Sequence, residues 1–156
     1  MAAFSIYTAA AQEIEMDSTT GLYTYQKVLD FEGKSKDELY TKAMEWVALN
    51  YKSANDVIQH EDADKGKIIC KGSFVTNLWL TTGFINHTLT LDFKDDKIRM
   101  TYSNFGYNST ETQFNLENEK MLKSGIEKLK KRALDQIISS EASLIEYINN
   151  DQNDDW

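Results

Sequence analysis

Apolar residues recur along this chain with two different periods, and the switch between them outlines the fold. Alternation is strictest over residues 84–93. There Ile85, His87, Leu89, Leu91 and Phe93 share one face, and Asn86, Thr88, Thr90 and Asp92 share the other, the pattern of a strand with one covered and one wet face. Residues 97–103 continue it as the second arm of a hairpin around Asp95-Asp96. Residues 57–61 and 67–74 predict an earlier hairpin, turning at Asp64-Lys65-Gly66 with Gly66 at positive φ. Residues 23–31, rich in aromatic and β-branched types, predict a first strand, which Gly33 ends.

The period changes after Gly33. Ser35-Lys36-Asp37-Glu38 reads as a capping box, in which a hydroxyl and a carboxylate satisfy the unpaired amides of a helix start. A helix to about residue 51 follows, with Leu39, Ala43, Trp46 and Val47 on one stripe. A longer helix is predicted over residues 116–149. Leu122, Ile126, Leu129, Ala133, Ile137, Leu144 and Ile148 lie on one side, Lys128, Lys130, Lys131 and Arg132 mostly away from it, and a bend is expected near Ser139-Ser140. Residues 1–20 are expected to form a flexible arm or leader remnant, 21–149 one domain, and 150–156 a disordered acidic tail.

The order is strand, helix, four strands, long helix: an α+β chain whose antiparallel sheet is covered on one face by a short and a long C-terminal helix. The residues SKDELYTKAMEWVA, the stretch from Val57 through KGKIICKGSF, and HTLTLDFKDDKIRMTYSNF carry a resemblance. In order and spacing, residues 31–107 are similar to the bacterial domain of unknown function 4468, which has a TATA-binding-protein-like fold. The resemblance implies that fold and no established activity. DNA-bending proteins of the same fold use a duplicated domain with basic, wedge-bearing sheets. This chain presents one copy and a wet face of Asn, Thr and Asp, so DNA binding does not transfer.

Composition narrows the picture. A length of 156 residues suits one domain. A net charge of −8 opposes binding to a phosphate backbone, and no nucleic-acid partner is expected. With no proline, turns rest on Gly, Asn, Asp and Ser. Cys70 is the single cysteine and cannot form an intrachain disulfide; its strand position predicts a buried apolar role. No stretch is long and apolar enough to span a bilayer. Ala9-Ala10-Ala11 before Gln12 resembles the small-residue end of a secretion signal, though no Lys or Arg precedes it. Export to the periplasm or cell envelope is favoured over the cytoplasm, and many members of the similar family resemble exported proteins.

Candidate chemistry thins out on inspection. His87 falls on the apolar face, and Asp92, an odd number of positions away, falls on the other. His60, Glu61, Asp62 and Asp64 miss the calcium-loop spacing, since Gly66, Lys67 and Ser73 stand where the loop needs other residues. Lys128 to Arg132 reads as a solvated helix face. Serine-nucleophile and phosphate-loop patterns are absent. Neither cofactor nor metal is expected, and the chain is read as a non-enzyme.

Two surfaces remain for an unknown protein or other macromolecular partner. One is the polar sheet face with Asn86, Thr88, Thr90, Arg99 and Thr101. The other is the connector containing Leu78, Trp79 and Leu80, which either folds over the core or offers Trp79 as an anchor. The expected function is a non-catalytic binding or structural module, exported or envelope-associated. The alternative is a small apolar-ligand carrier of helix-grip type.

Overall fold

The computed structural model describes residues 12–51, 57–78 and 80–150. The Ala9 to Ala11 leader reading, Trp79 and the tail beyond Asn150 lie outside them. The elements are β1 (Glu15–Met16), β2 (Tyr23–Asp30), α1 (Lys36–Asn50), β3 (Ile58–Asp62), β4 (Lys67–Leu78), β5 (Thr81–Lys94), β6 (Lys97–Ser109), β7 (Gln113–Asn115) and α2 (Lys123–Asn149). They form a seven-stranded sheet in the order β1-β2-β6-β5-β4-β3, with β7 also paired to β6. All its pairs are antiparallel. The α+β architecture expected from the pattern is present, with two short strands added. One of them, β1, lies within the residues read as an arm.

Both helices cover one face. α1 buries Leu39, Ala43, Trp46 and Val47, the predicted stripe, and α2 buries Ile126, Leu129, Ala133, Ile137, Leu144 and Ile148. The Ser35 hydroxyl accepts the Glu38 amide at 3.2 Å, which makes half of the capping box. The Glu38 carboxylate instead takes a bond from the Lys34 ammonium at 3.0 Å. The hairpin between β5 and β6 supplies the missing acceptors. Asp95 Oδ1 accepts the Lys36 amide at 2.8 Å, and Asp96 Oδ1 accepts the Gly33 amide at 2.7 Å. A turn distant in sequence thus fixes the start of α1 to the sheet.

Three expectations are corrected. α2 starts at Lys123 rather than near residue 116, because Leu116 is buried and its amide bonds to the Phe105 carbonyl. Leu122 is consequently exposed instead of lying on the apolar stripe. The long connector between the hairpins does not exist as a loop: β4 and β5 stay paired out to Leu78 and Thr81. β6 also runs on past Ser103, through a bulge. Asn86 pairs with Gly106 and Thr88 with Ser103, so His87 faces both Asn104 and Phe105. Asn104 takes φ 53° there. The extra residue restores inward phase, and Tyr102, Phe105 and Tyr107 all reach the core.

Candidate functional site

The face opposite the helices is an open sheet whose side chains line up in rows across the strands. At one end Lys67, Asp92 and Arg99 are consecutive cross-strand neighbours. The Asp92 carboxylate accepts from the Lys67 ammonium and, at 3.0 Å, from the Arg99 guanidinium. Burial pushes its carboxyl upward, but these two partners outweigh that and hold it below the usual carboxylate range. The next row holds Ile69, Thr90 and Thr101, with Gln26 donating to the Thr101 hydroxyl at 3.1 Å. In the third row Thr88 accepts from the Asn104 amide at 3.3 Å, a contact that the bulge creates. Val75 and Phe84 face each other at the far end, and both are exposed.

The predicted residues therefore divide. Asn86, Thr88, Thr90, Arg99 and Thr101 share this face, and Arg99 is exposed. Leu78 does not belong to any partner surface. It is only 1% exposed, because it continues the inward alternation of Ile68, Cys70 and Phe74. Leu80, past the end of β4, is fully exposed. Val75 and Phe84 were missed as surface residues, although their phase gave them away: each sits one position from an inward residue, Phe74 and Ile85.

Charge is uneven around the molecule. By strand alternation the open face carries Lys67, Lys71, Lys94, Lys97 and Arg99 against Glu15, Asp30, Asp62 and Asp92. Its charges nearly balance, on a chain of net charge −8. The basic residues read as a solvated face of α2 are partly engaged. Arg132 donates to the Thr76 hydroxyl at 3.2 Å, and the Lys130 ammonium lies 4.6 Å from the centre of the Tyr23 ring.

Beneath the sheet lie two buried polar groupings. In the first, the Glu141 carboxylate of α2 meets the Lys27 ammonium, and the Tyr25 hydroxyl donates to it at 2.9 Å. In the second, His87 is 3% exposed and stacks on Phe74 with ring centres 4.1 Å apart, and it meets Tyr102 edge-on with ring centres 5.1 Å apart. Its Nδ1 lies 3.4 Å from the Ile85 carbonyl, which can only accept, so Nδ1 carries the proton and Nε2 is a bare acceptor. Among the described residues Nε2 has no hydrogen-bond partner. Burial lowers its pKa to about 4, against the smaller opposing effect of the Ile85 carbonyl. Burial also raises the Cys70 thiol to about 11 and holds the Tyr51 and Tyr102 hydroxyls protonated. His87 and Asp92 point to opposite faces, as their spacing required.

The His87 imidazole of this cluster is neutral at physiological pH, and among the described residues no carboxylate is hydrogen-bonded to it. Among the described residues no group of three or more His, Cys, Asp or Glu side chains could hold a metal ion. The larger clefts open on the surface. One of about 890 Å³ lies between the helices, against Asp37, Glu45, Trp46 and Glu146. Another of about 750 Å³ follows β4 past Tyr51, Gly72, Val75 and Phe84. Between sheet and helix, Leu89, Leu91, Met100, Leu129, Ala133 and Ile137 are fully buried against one another.

The fold has close counterparts. A crystal structure of a DUF4468 family protein from Bacteroides ovatus superimposes with a TM-score of 0.68 at 17% identity, over 86% of this chain and 90% of that one. A TBP-like protein from Parabacteroides distasonis gives 0.67 at 13% identity, over 86% and 97% respectively. No curated protein matches the chain. Residues 25–108 match the family described as a domain of unknown function (DUF4468) with TBP-like fold, and the chain belongs to that family.

Proposed function

We propose that this protein is a non-catalytic binding module that recognises a macromolecular partner through the open sheet face. The observation that carries the reading is the cross-strand pairing on that face. Gln26 with Thr101, Asn104 with Thr88, and Arg99 and Lys67 with Asp92 hold their side chains in place before any partner arrives. Preordered polar groups lose little conformational entropy on binding. The near-balance of charge on the face falls far short of the clustered positive charge that a phosphate backbone requires.

Pull-down from the native host, with Thr90→Arg and Thr101→Arg as face variants and Leu80→Ser as a hairpin-tip variant, tests the proposal. Both face positions sit on a solvent-facing row, so melting should be unchanged while a partner held by the wild type is lost. A partner retained by the face variants and lost with Leu80→Ser would overturn it in favour of the hairpin tip. The packed interface between sheet and helix gives the apolar-ligand carrier no support. The proposal includes export, resting on Ala9-Ala10-Ala11 before Gln12. N-terminal sequencing of protein from the host should find Gln12 first, and a chain starting at Met1 would refute that part.

A further inference from the structure

The charges of the open face thin out along its strands. Lys67, Asp92 and Arg99 share one row at the charged end, and Lys94 and Lys97 face each other beyond it. Lys71 stands opposite Thr88, further along β4. The next two rows hold no charged residue. In one, Asn86 and Asn115 flank Gly106; in the other, Phe84 and Gln113 flank Asn108. Strands lie about 4.8 Å apart, so Asn86 and Asn115 stand about 10 Å from each other across the glycine. Among the described residues the side chains of Asn86, Asn108, Gln113 and Asn115 have no hydrogen-bond partner.

Gly106 is the unusual member of this group. Its φ is not positive, and the bulge beside it takes its positive φ at Asn104 instead. A Cβ on Gly106 would meet the Phe114 carbonyl oxygen at 3.4 Å and Asn115 Oδ1 at 3.5 Å, ordinary contact distances. Neither backbone conformation nor packing therefore demands glycine here. Glycine inside a strand weakens it and marks a place where something comes close to the backbone. Gly106 leaves a bare stretch of backbone on the open face, among the amides of Asn86, Asn108 and Asn115.

We propose that this hollow, with Phe84 beside it, binds a neutral glycan. A side-chain amide offers a donor and an acceptor together, which suits neighbouring sugar hydroxyls that each do both. Phe84, 45% exposed, offers the electron-rich face of its ring to the C–H groups of a sugar. The two rows have no cation to attract an acidic chain. Nor do they suit the centre of a protein interface, where aromatic residues, Met and Arg gather rather than amides. The site lies on the face proposed above for recognition and rests on that reading, which it narrows to one end and one ligand class.

Affinity electrophoresis of the full chain in native gels tests it. The gels contain a soluble β-glucan, an α-mannan or a galactan, with polygalacturonate as the acidic control. At least one neutral glycan should retard the wild type, and polygalacturonate should not. Gly106→Ala should melt no lower than the wild type, because the methyl fits and alanine restricts the unfolded chain. It should nonetheless bind about tenfold more weakly, since the methyl fills the hollow. Asn108→Ala should weaken binding about fivefold, the worth of one lost hydrogen bond. Equal retardation by polygalacturonate, or Gly106→Ala binding as tightly as the wild type, would overturn the proposal. So would no retardation by any of the three neutral glycans; if the host partner is then still lost from Thr90→Arg, recognition through the open face stands without this ligand.

Discussion

Replacing Gly72 by alanine should destabilise the protein, although the backbone there would tolerate any residue. Gly72 sits opposite His87 on the core side of β4, and its φ is not positive. An added Cβ would lie 2.7 Å from Tyr51 Cε1 and 2.8 Å from His87 Nε2, so a neighbour must move. Neither ring has easy room. His87 is held between Phe74 and Tyr102, and Tyr51 packs edge-on against Trp46 at 6.3 Å. Overpacking of this kind costs about 1–3 kcal/mol. Against it, alanine restricts the unfolded chain and returns about 0.4–1 kcal/mol. The net loss is about 1–2 kcal/mol, read in urea denaturation as a lower midpoint with the slope unchanged. In a chain of this size it lowers melting by about 2–4 °C per kcal/mol. His87→Ala in the Gly72→Ala background should relieve part of the loss, a coupling of about 0.5–2 kcal/mol. A Gly72→Ala protein as stable as the wild type, or more so, would refute the packing described for this cluster.

Buried His87 makes stability depend on pH. Its pKa falls from 6.5 in the unfolded chain to about 4 in the fold, so the unfolded chain binds more protons between those values. Stability is complete above the upper value and falls by about 3 kcal/mol on descending through the window; His87→Leu should flatten that slope in urea titrations. Lys27→Met strands the buried Glu141 carboxylate and should cost about 3–5 kcal/mol, whereas Lys27→Met with Glu141→Leu should recover most of it in the same assay. Trp46→Ala, which empties a buried site and removes the 3.0 Å bond to the Ser143 hydroxyl, should cost about 3–5 kcal/mol by thermal denaturation. Cys70, fully buried with its thiol pushed up to about 11, should react with a thiol reagent only on unfolding; rapid modification of the native protein would place it differently.

Much of the fold was legible because its signals are local. The stripe of Leu39, Ala43, Trp46 and Val47, and the alternation from Ile85 to Phe93, each declare a buried face within one element. What stayed hidden depends on residues far apart in sequence. The pairing of β7 with β6, and the capping of α1 by Asp95, come from contacts that hydropathy does not encode. Glu141 is the sharpest case. On an apolar stripe it reads as an interruption, and only the Lys27 and Tyr25 partners across the interface explain its burial. Likewise β4 runs past Phe74 because β5 pairs with it as far as Leu78, and that extension puts Val75 on the surface.

The open face illustrates why such a chain yields its architecture before its role. Alternation correctly assigns Thr88, Thr90 and Thr101 to one side, yet it cannot say which of them are neighbours. Register decides that, and the register here changes at the bulge. Were Asn104 accommodated in a regular strand rather than in a bulge, β6 would stay in a single phase. Phe105 and Tyr107 would then turn outward onto the face that carries Thr88. With the bulge, the aromatic side chains return to the core, and Asn104 is left on the outside to bond the Thr88 hydroxyl. The irregularity therefore sets the chemistry of both faces at once. It keeps the side chains of that row polar and preordered, the property on which the proposed recognition through that side rests.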